Sequence, residues 1–264
     1  MRGRVLVVAG SDSGGGAGIQ ADIKTITALG AYAATAVTAL TAQDTRGVHG
    51  IMPVPAAFVR AQMRAVLDDI GADVAKTGML GDAALIQEVC DVLGAGMRVV
   101  VDPVMVATSG ARLLDPAAVD TLRRRLLPLA TVLTPNVPEA EVLAGMSITG
   151  EADMAEAARR LLALGPRAVL LKGGHLDGAS CADLLVTAEG TEVFRAPRVA
   201  TRHTHGTGCT LASAIAAGLA QKMTLHAAVA RAHAYVQAAI ASAPGYGGGH
   251  GPLDHATWVV PRSA

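Results

Sequence analysis

Apolar residues fall along this chain in short unbroken runs, separated by longer stretches in which they recur at helical spacing. Residues 5–9 form one such run, the mark of a strand covered on both faces. A glycine-rich loop follows, and residues 19–29 then take helical spacing. Residues 33–42, rich in Thr, Val and Ala, predict a strand, and 48–54 a shorter one. Residues 55–70 predict an amphipathic helix with Pro55 in its first position. Short buried strands are predicted at 73–76, 99–101, 131–133 and 168–171. Helices are predicted from the cap Asp82 to 93, and at 115–127, 151–164 and 225–241. Residues 182–187 and 192–195 predict an antiparallel hairpin about Glu189-Gly190, and 245–251 a glycine loop. This alternation predicts an α/β fold with a mostly parallel sheet between helices. No internal repeat or low-complexity linker interrupts it, so one domain spanning 1–264 is expected.

One helix stands apart. Residues 211–219 are Ala-rich and apolar, and they follow His205-Gly206-Thr207-Gly208-Cys209-Thr210. Glycines there permit positive φ and let a ligand approach the backbone. The free N–H groups at the helix start favour an anion. Cys209 lies in that first turn, where its pKa is expected to fall. Glycine turns before helices are also common without a ligand, so this one decides nothing alone. The other strand ends add Asp12, Asp102, Asn136, Glu139 and Lys172, which should open on the same edge of the sheet. Acids and an amide suit a hydrated Mg²⁺, and a lysine with a helix N-terminus suits phosphates. Together they point to phosphoryl transfer, where positioning and charge neutralisation carry most of the catalysis. Taken singly, Asp102 reads equally as a structural acid, and Met79 as ordinary core.

Composition narrows the classes. Lys plus Arg and Asp plus Glu number 22 each, and this balance argues against a nucleic-acid or membrane-surface protein. Aromatics are only 2%, so the core must be built from Ala, Val, Leu, Ile and Met. Cys90, Cys181 and Cys209 show no CxxC spacing, which supports neither a zinc site nor a disulfide framework and suits a reducing cytoplasm. Cys90 and Cys181 read as small core hydrophobes. The apolar run at 5–9 is too short for a signal-peptide core, and the helix after Cys209 too short to cross a bilayer. His203 and His205 lack a third ligand at metal spacing.

Seven stretches carry a family resemblance. They are Ala9-Gly10-Ser11-Asp12-Ser13-Gly14-Gly15-Gly16-Ala17-Gly18-Ile19-Gln20-Ala21-Asp22, Thr38-Ala39-Leu40-Thr41-Ala42-Gln43, Lys76-Thr77-Gly78-Met79-Leu80, Asp102-Pro103-Val104-Met105, Thr134-Pro135-Asn136 with Glu139, Lys172-Gly173-Gly174-His175, and Thr204-His205-Gly206-Thr207-Gly208-Cys209. In this order they resemble the hydroxymethylpyrimidine/phosphomethylpyrimidine kinases of thiamine biosynthesis, and span nearly the whole chain. The resemblance implies a ribokinase-like three-layer α/β/α sandwich with a small β edge or flap. It implies two ATP- and Mg²⁺-dependent phosphorylations, first of the hydroxymethylpyrimidine and then of its monophosphate, in a cytoplasmic homodimer.

Carried over by position, Gly10, Asp22, Gln43, Met79 and Val106 would belong to the substrate pocket, with Gln43 on the aminopyrimidine edge and Met79 against the ring. Asn136, Glu139, Lys172 and Thr204 would bind the nucleotide, and Asp102 and Glu139 the metal. Gly206, Thr207 and Gly208 would form the anion hole beside Lys172, and Cys209 would be the base. Cys209 stands where most of the wider fold has Asp, which marks the pyrimidine-kinase branch. Two positions depart from the family pattern: Thr108 where Lys is usual, and His203 where Asn is frequent. Pyridoxal kinase of the same branch, or a non-catalytic pyrimidine sensor, are the competing readings.

Overall fold

A computed structural model describes residues 2–107, 110–176 and 178–259. Its centre is a nine-stranded sheet in the order β3-β2-β1-β4-β5-β6-β7-β8-β9. The strands are β1 (Arg4–Asp12), β2 (Tyr32–Gln43), β3 (Val48–Pro53), β4 (Val74–Thr77), β5 (Val99–Val101), β6 (Ala130–Leu133), β7 (Ala168–Leu171), β8 (Ser180–Thr187) and β9 (Gly190–Pro197). From β2 to β7 neighbouring strands run parallel, while β3 at one edge and the β8–β9 hairpin at the other are antiparallel.

Side chains alternate across the parallel strands, and each face builds its own core. Leu6, Val8, Ala75, Val99, Val101, Leu133, Val169 and Leu171 face one side. There they meet α2 (Ala56–Asp69), α3 (Ala83–Leu93), α5 (Val137–Ala144) and α6 (Glu151–Leu162). Val5, Val7, Val74, Val100, Val132, Ala168 and Leu170 face the other, against α1 (Gly18–Ala28), α7 (Thr207–Ala220) and α8 (Leu225–Ala241). The result is the three-layer α/β/α sandwich that the sequence predicted. Helix α7 is buried from Thr210 to Ala220, and small side chains let its neighbours close in. A Cβ at Gly218 would lie 2.8 Å from that of Ala228.

Two stretches depart from the sequence reading. Residues 115–127, predicted as one helix, lie instead in a chain of short turns from Pro116 to Leu129, in which only α4 (Val119–Thr121) is α-helical; Leu122–Leu126 is a π turn. Pro128 removes a backbone donor and its ring crowds the carbonyl four residues before it, which disturbs regular helical bonding at the end of the run; Pro116, at the first position of its turn, is compatible with a helix start. Helix α5 was missed, because Pro135 and Pro138 flank its start and its run is short. Its signal was Asn136 three residues before Glu139, a capping box: Asn136 Oδ1 accepts the Glu139 N–H and Glu139 Oε2 accepts the Asn136 N–H, each at 2.9 Å.

Candidate active site

A cavity of about 780 Å³ opens at the carboxyl ends of the parallel strands. Every residue assigned a site role from sequence lines it, except Asp22.

The loop after β1 is held by Asp12. Its carboxylate accepts the N–H groups of Gly14 (2.8 Å), Gly16 (3.1 Å) and Ala17 (2.8 Å), and lies 2.9 Å from His205 Nε2. Burial favours the neutral acid, but His205 and the backbone donors outweigh it and hold Asp12 below the usual carboxylate range. The His205 contact ties this loop to the turn that begins α7. Gly206 then crosses it at φ 83°, where a Cβ would sit 1.9 Å from the Gly16 carbonyl oxygen. Only glycine fits that crossing. Thr204 serves the turn through its carbonyl, which accepts the Thr207 hydroxyl (2.7 Å) and N–H (3.3 Å).

One end of the cavity gathers a cation and two acids. Lys172, at the end of β7, donates to Asp102 Oδ1 at 3.1 Å, as does Thr134 at 3.3 Å. A Cβ on Gly208 would lie 3.0 Å from Lys172 Nζ, so the ammonium stands directly over the first turn of α7. Burial alone would lower the Lys172 pKa; Asp102 and Glu139 raise it, and the ammonium is retained. Burial pushes the Glu139 carboxyl up, Asp102 adds to this, and Lys172 opposes it. With Glu139 ionised, two buried carboxylates face one ammonium. That excess negative charge, with the oxygen donors of Asp102, Glu139 and Asn136, fits a hydrated divalent cation. Among the described residues, no three His, Cys, Asp or Glu side chains could hold a metal unaided. Such an ion would complete its shell with water and phosphate, as Mg²⁺ commonly does.

At the other end, Gln43, Met79 and Gly10 line the cavity. A Cβ at Gly10 would approach Met79 Sδ to 3.0 Å, so the glycine seats the thioether. The Thr38 hydroxyl fixes the Met79 carbonyl at 2.6 Å. Val106 stands at the mouth, half exposed, while Thr108 lies outside the described residues. Cys181, read as core, lines the cavity instead, because its end of β8 lies beside the site. His203 Nδ1 accepts the Gly251 N–H at 3.2 Å and so braces the glycine loop.

Two expectations need correction. Asp22 does not reach the cavity. It is fully buried beneath it, where Lys76 Nζ donates to both its oxygens (2.9 and 3.0 Å) and Ser213 to one (2.6 Å). The sequence clue to this pair was a lysine inside the apolar strand β4. The Cys209 thiol, expected to fall in pKa, is pushed up to about 11. Burial dominates; Asp22 and Asp102 add to it, while Lys76 and the Gly18 N–H oppose it. Ser213 is one helical turn after Cys209, so the Lys76–Asp22 pair lies one turn below the sulfur. At rest the group is a thiol, with a cation and an N–H placed to receive its anion.

The phosphomethylpyrimidine kinase family matches residues 12–254. The chain is 52% identical to the hydroxymethylpyrimidine/phosphomethylpyrimidine kinase of Streptomyces coelicolor, over 97% of this chain and 95% of that one. It is 56% identical over 96% of its length to a thiamine biosynthesis bifunctional protein of Geobacter sulfurreducens, and spans about half (52%) of that protein. Among solved structures it is similar to an ADP complex of Bacillus subtilis pyridoxal kinase, with a TM-score of 0.90, 36% identity, and coverage of 97% of this chain and 98% of that one.

Proposed function

This chain belongs to the phosphomethylpyrimidine kinase family, and on that premise we propose that it phosphorylates 4-amino-5-hydroxymethyl-2-methylpyrimidine with ATP and then phosphorylates the resulting monophosphate to the pyrophosphate. One observation carries the reading: Lys172 stands over Gly208 while bonded to Asp102, so a cation, an acid and a helix start meet at one point. That is an arrangement for a transferring phosphoryl group.

Asp102, Glu139 and Asn136 would hold the metal with the nucleotide phosphates. A bound Mg²⁺ supplies charge neutralisation across the phosphate oxygens. Lys172 and the N–H groups of the Gly206–Cys209 turn receive the charge that spreads over the transferring group. Met79 and Gln43 seat the pyrimidine. In the first transfer, the Cys209 thiolate takes the hydroxyl proton as that oxygen bonds to phosphorus and ADP leaves. Lys76 and the Gly18 N–H stabilise the thiolate beforehand. In the second transfer, the attacking oxygen belongs to a phosphate already ionised at neutral pH, and no base is required. A thiol there repels that anion less than Asp would.

Likeness to the Bacillus pyridoxal kinase favours a second reading, phosphorylation of pyridoxal. Gln43 weighs against it as the main activity, since its amide offers the donor–acceptor pair that an aminopyrimidine edge matches. An ADP-release assay on the pyrimidine alcohol, its monophosphate and pyridoxal separates the two; turnover of pyridoxal alone would reject the first. Exposed Leu40, Ile51 and Met52 on β2 and β3 support a homodimer through that edge. Balanced charge and unpaired cysteines support a cytoplasmic site of action. Among the described residues no helix is long and apolar enough to cross a membrane.

A further inference from the structure

Gln43 has a partner on each side of its amide. Nε2 lies 3.2 Å from His205 Nε2, and Oε1 lies 3.2 Å from Thr41 Oγ1. The nitrogen and oxygen of a primary amide are nearly isosteric, and only the surrounding hydrogen bonds tell them apart.

Both neighbours call for the reverse orientation. Asp12 accepts three backbone N–H groups and stays ionised, so the proton in its 2.9 Å contact with His205 sits on Nε2. A protonated Nε2 has no lone pair for an amide NH₂. Its one N–H, directed mainly at Asp12, can be shared with an amide oxygen at 3.2 Å as the longer arm of a three-centre bond, whereas an amide NH₂ there would set donor against donor. Thr41 gives the same answer independently. Its one hydroxyl proton goes to the Ser11 carbonyl at 2.9 Å, so it shows Gln43 a lone pair that an oxygen cannot use and an N–H can.

We propose that the Asp12–His205 pair and Thr41 hold Gln43 with its amide oxygen toward His205 and its nitrogen toward Thr41, and thereby set which way round an aminopyrimidine is read. The amide has two acceptor and two donor directions, and the two neighbours take one of each. The remaining acceptor and donor stand side by side on a residue that lines the cavity. The ligand's amino group then lies on the His205 side, and its ring-nitrogen acceptor on the Thr41 side. His205 is thus a positioning residue that acts through Gln43. This inference rests on the proposed pyrimidine substrate for its kinetic consequence, but not for the amide orientation.

Two measurements test it. In the wild-type protein at pH 8, long-range ¹⁵N–¹H correlation should show a pyrrole-type nitrogen at His205 Nε2; a pyridine-type nitrogen there overturns the proposal. In kinetics, the aminopyrimidine alcohol is compared with its 4-deamino analogue. Wild type should favour the amino compound in kcat/KM by about tenfold or more. His205→Phe and Gln43→Ala should each bring that ratio toward one with little change in KM for ATP. The double variant should lower it no further. An unchanged ratio in His205→Phe, or additive losses in the double variant, overturns the proposal. A wild type that turns over neither compound rejects the kinase reading, and the spectrum alone then decides the amide orientation.

Discussion

At Cys209 the environment works in two directions. The sulfur lies at the start of two helices, with the Gly18 N–H on it and Lys76 within charge reach, yet burial and two carboxylates hold the thiol near 11. In the role of base proposed for it, a thiol with so high a pKa is mostly protonated at neutral pH. The rate of the first transfer should therefore climb as pH rises from 6 to 9, while that of the second should respond less. Equal pH profiles for the alcohol and the monophosphate would contradict this. Cys209→Ala should lower the first transfer by about 10²–10⁴, the usual contribution of a general base, and the second by less, with nucleotide affinity retained. Separate initial rates on the two substrates, with ADP titrations, check it.

Lys76 makes a different prediction at the same scale. It is fully buried, and its two bonds to Asp22 keep it charged. Lys76→Met would strand the Asp22 carboxylate in the core, at about 3–5 kcal/mol. Urea unfolding should show that loss, and adding Asp22→Asn should restore much of it. A single variant as stable as wild type would rule out the buried pair as a structural tie.

At the scale of elements, the site depends on the β1 loop meeting the start of α7. Gly206→Ala demands positive φ from a residue with a Cβ and drives that Cβ into the Gly16 carbonyl. Activity should fall steeply while far-UV circular dichroism stays close to wild type. A fully active variant would mean that the crossing is not required. His255 ties the 253–255 segment to α7 and α8: its Nε2 lies 3.0 Å from Thr210 Oγ1 on α7, and its carbonyl accepts the Tyr235 hydroxyl of α8 at 2.6 Å. Burial lowers its pKa to about 4, so the unfolded chain binds this proton more readily than the fold does. Stability from this group is complete above about 6.5 and is lost as pH falls toward 4. At about 1.4 kcal/mol per tenfold change in proton affinity, the loss is on the order of 3 kcal/mol. His255→Gln should flatten that acid slope in urea titrations between pH 7 and 4.

These elements also show what sequence pattern can and cannot carry. The parallel strands were legible because both their faces are buried, and every residue of Val74–Thr77 or Val99–Val101 is solvent-free. Strand-end position then brought Asp12, Asp102, Lys172 and Cys209 to one edge without a contact being known. Asp22 was misplaced because a position next to a binding loop does not say which way a helical side chain turns. Cys209 was misjudged because the helix-terminus argument counts a local dipole and leaves out burial and two acids brought from distant segments. His205 drew attention only as a candidate metal ligand; its contacts with Asp12 and Gln43 span 193 and 162 residues of chain.

Over the whole molecule, two apolar cores leave the sheet's carboxyl edge as the place where buried charge collects. Asp12, Asp102, Glu139, Lys172 and His205 are held there by one another and by backbone donors. Such an arrangement is worth its folding cost when charge must be met in a dry site. The most direct measurement is ADP release by the purified protein with ATP and Mg²⁺. It should be run on the aminopyrimidine alcohol, on its monophosphate and on pyridoxal, with phosphorylated products identified by mass. The account predicts turnover of the first two in succession, with the alcohol preferred to pyridoxal in kcat/KM. Turnover of neither pyrimidine, or of pyridoxal in preference to both, would contradict it.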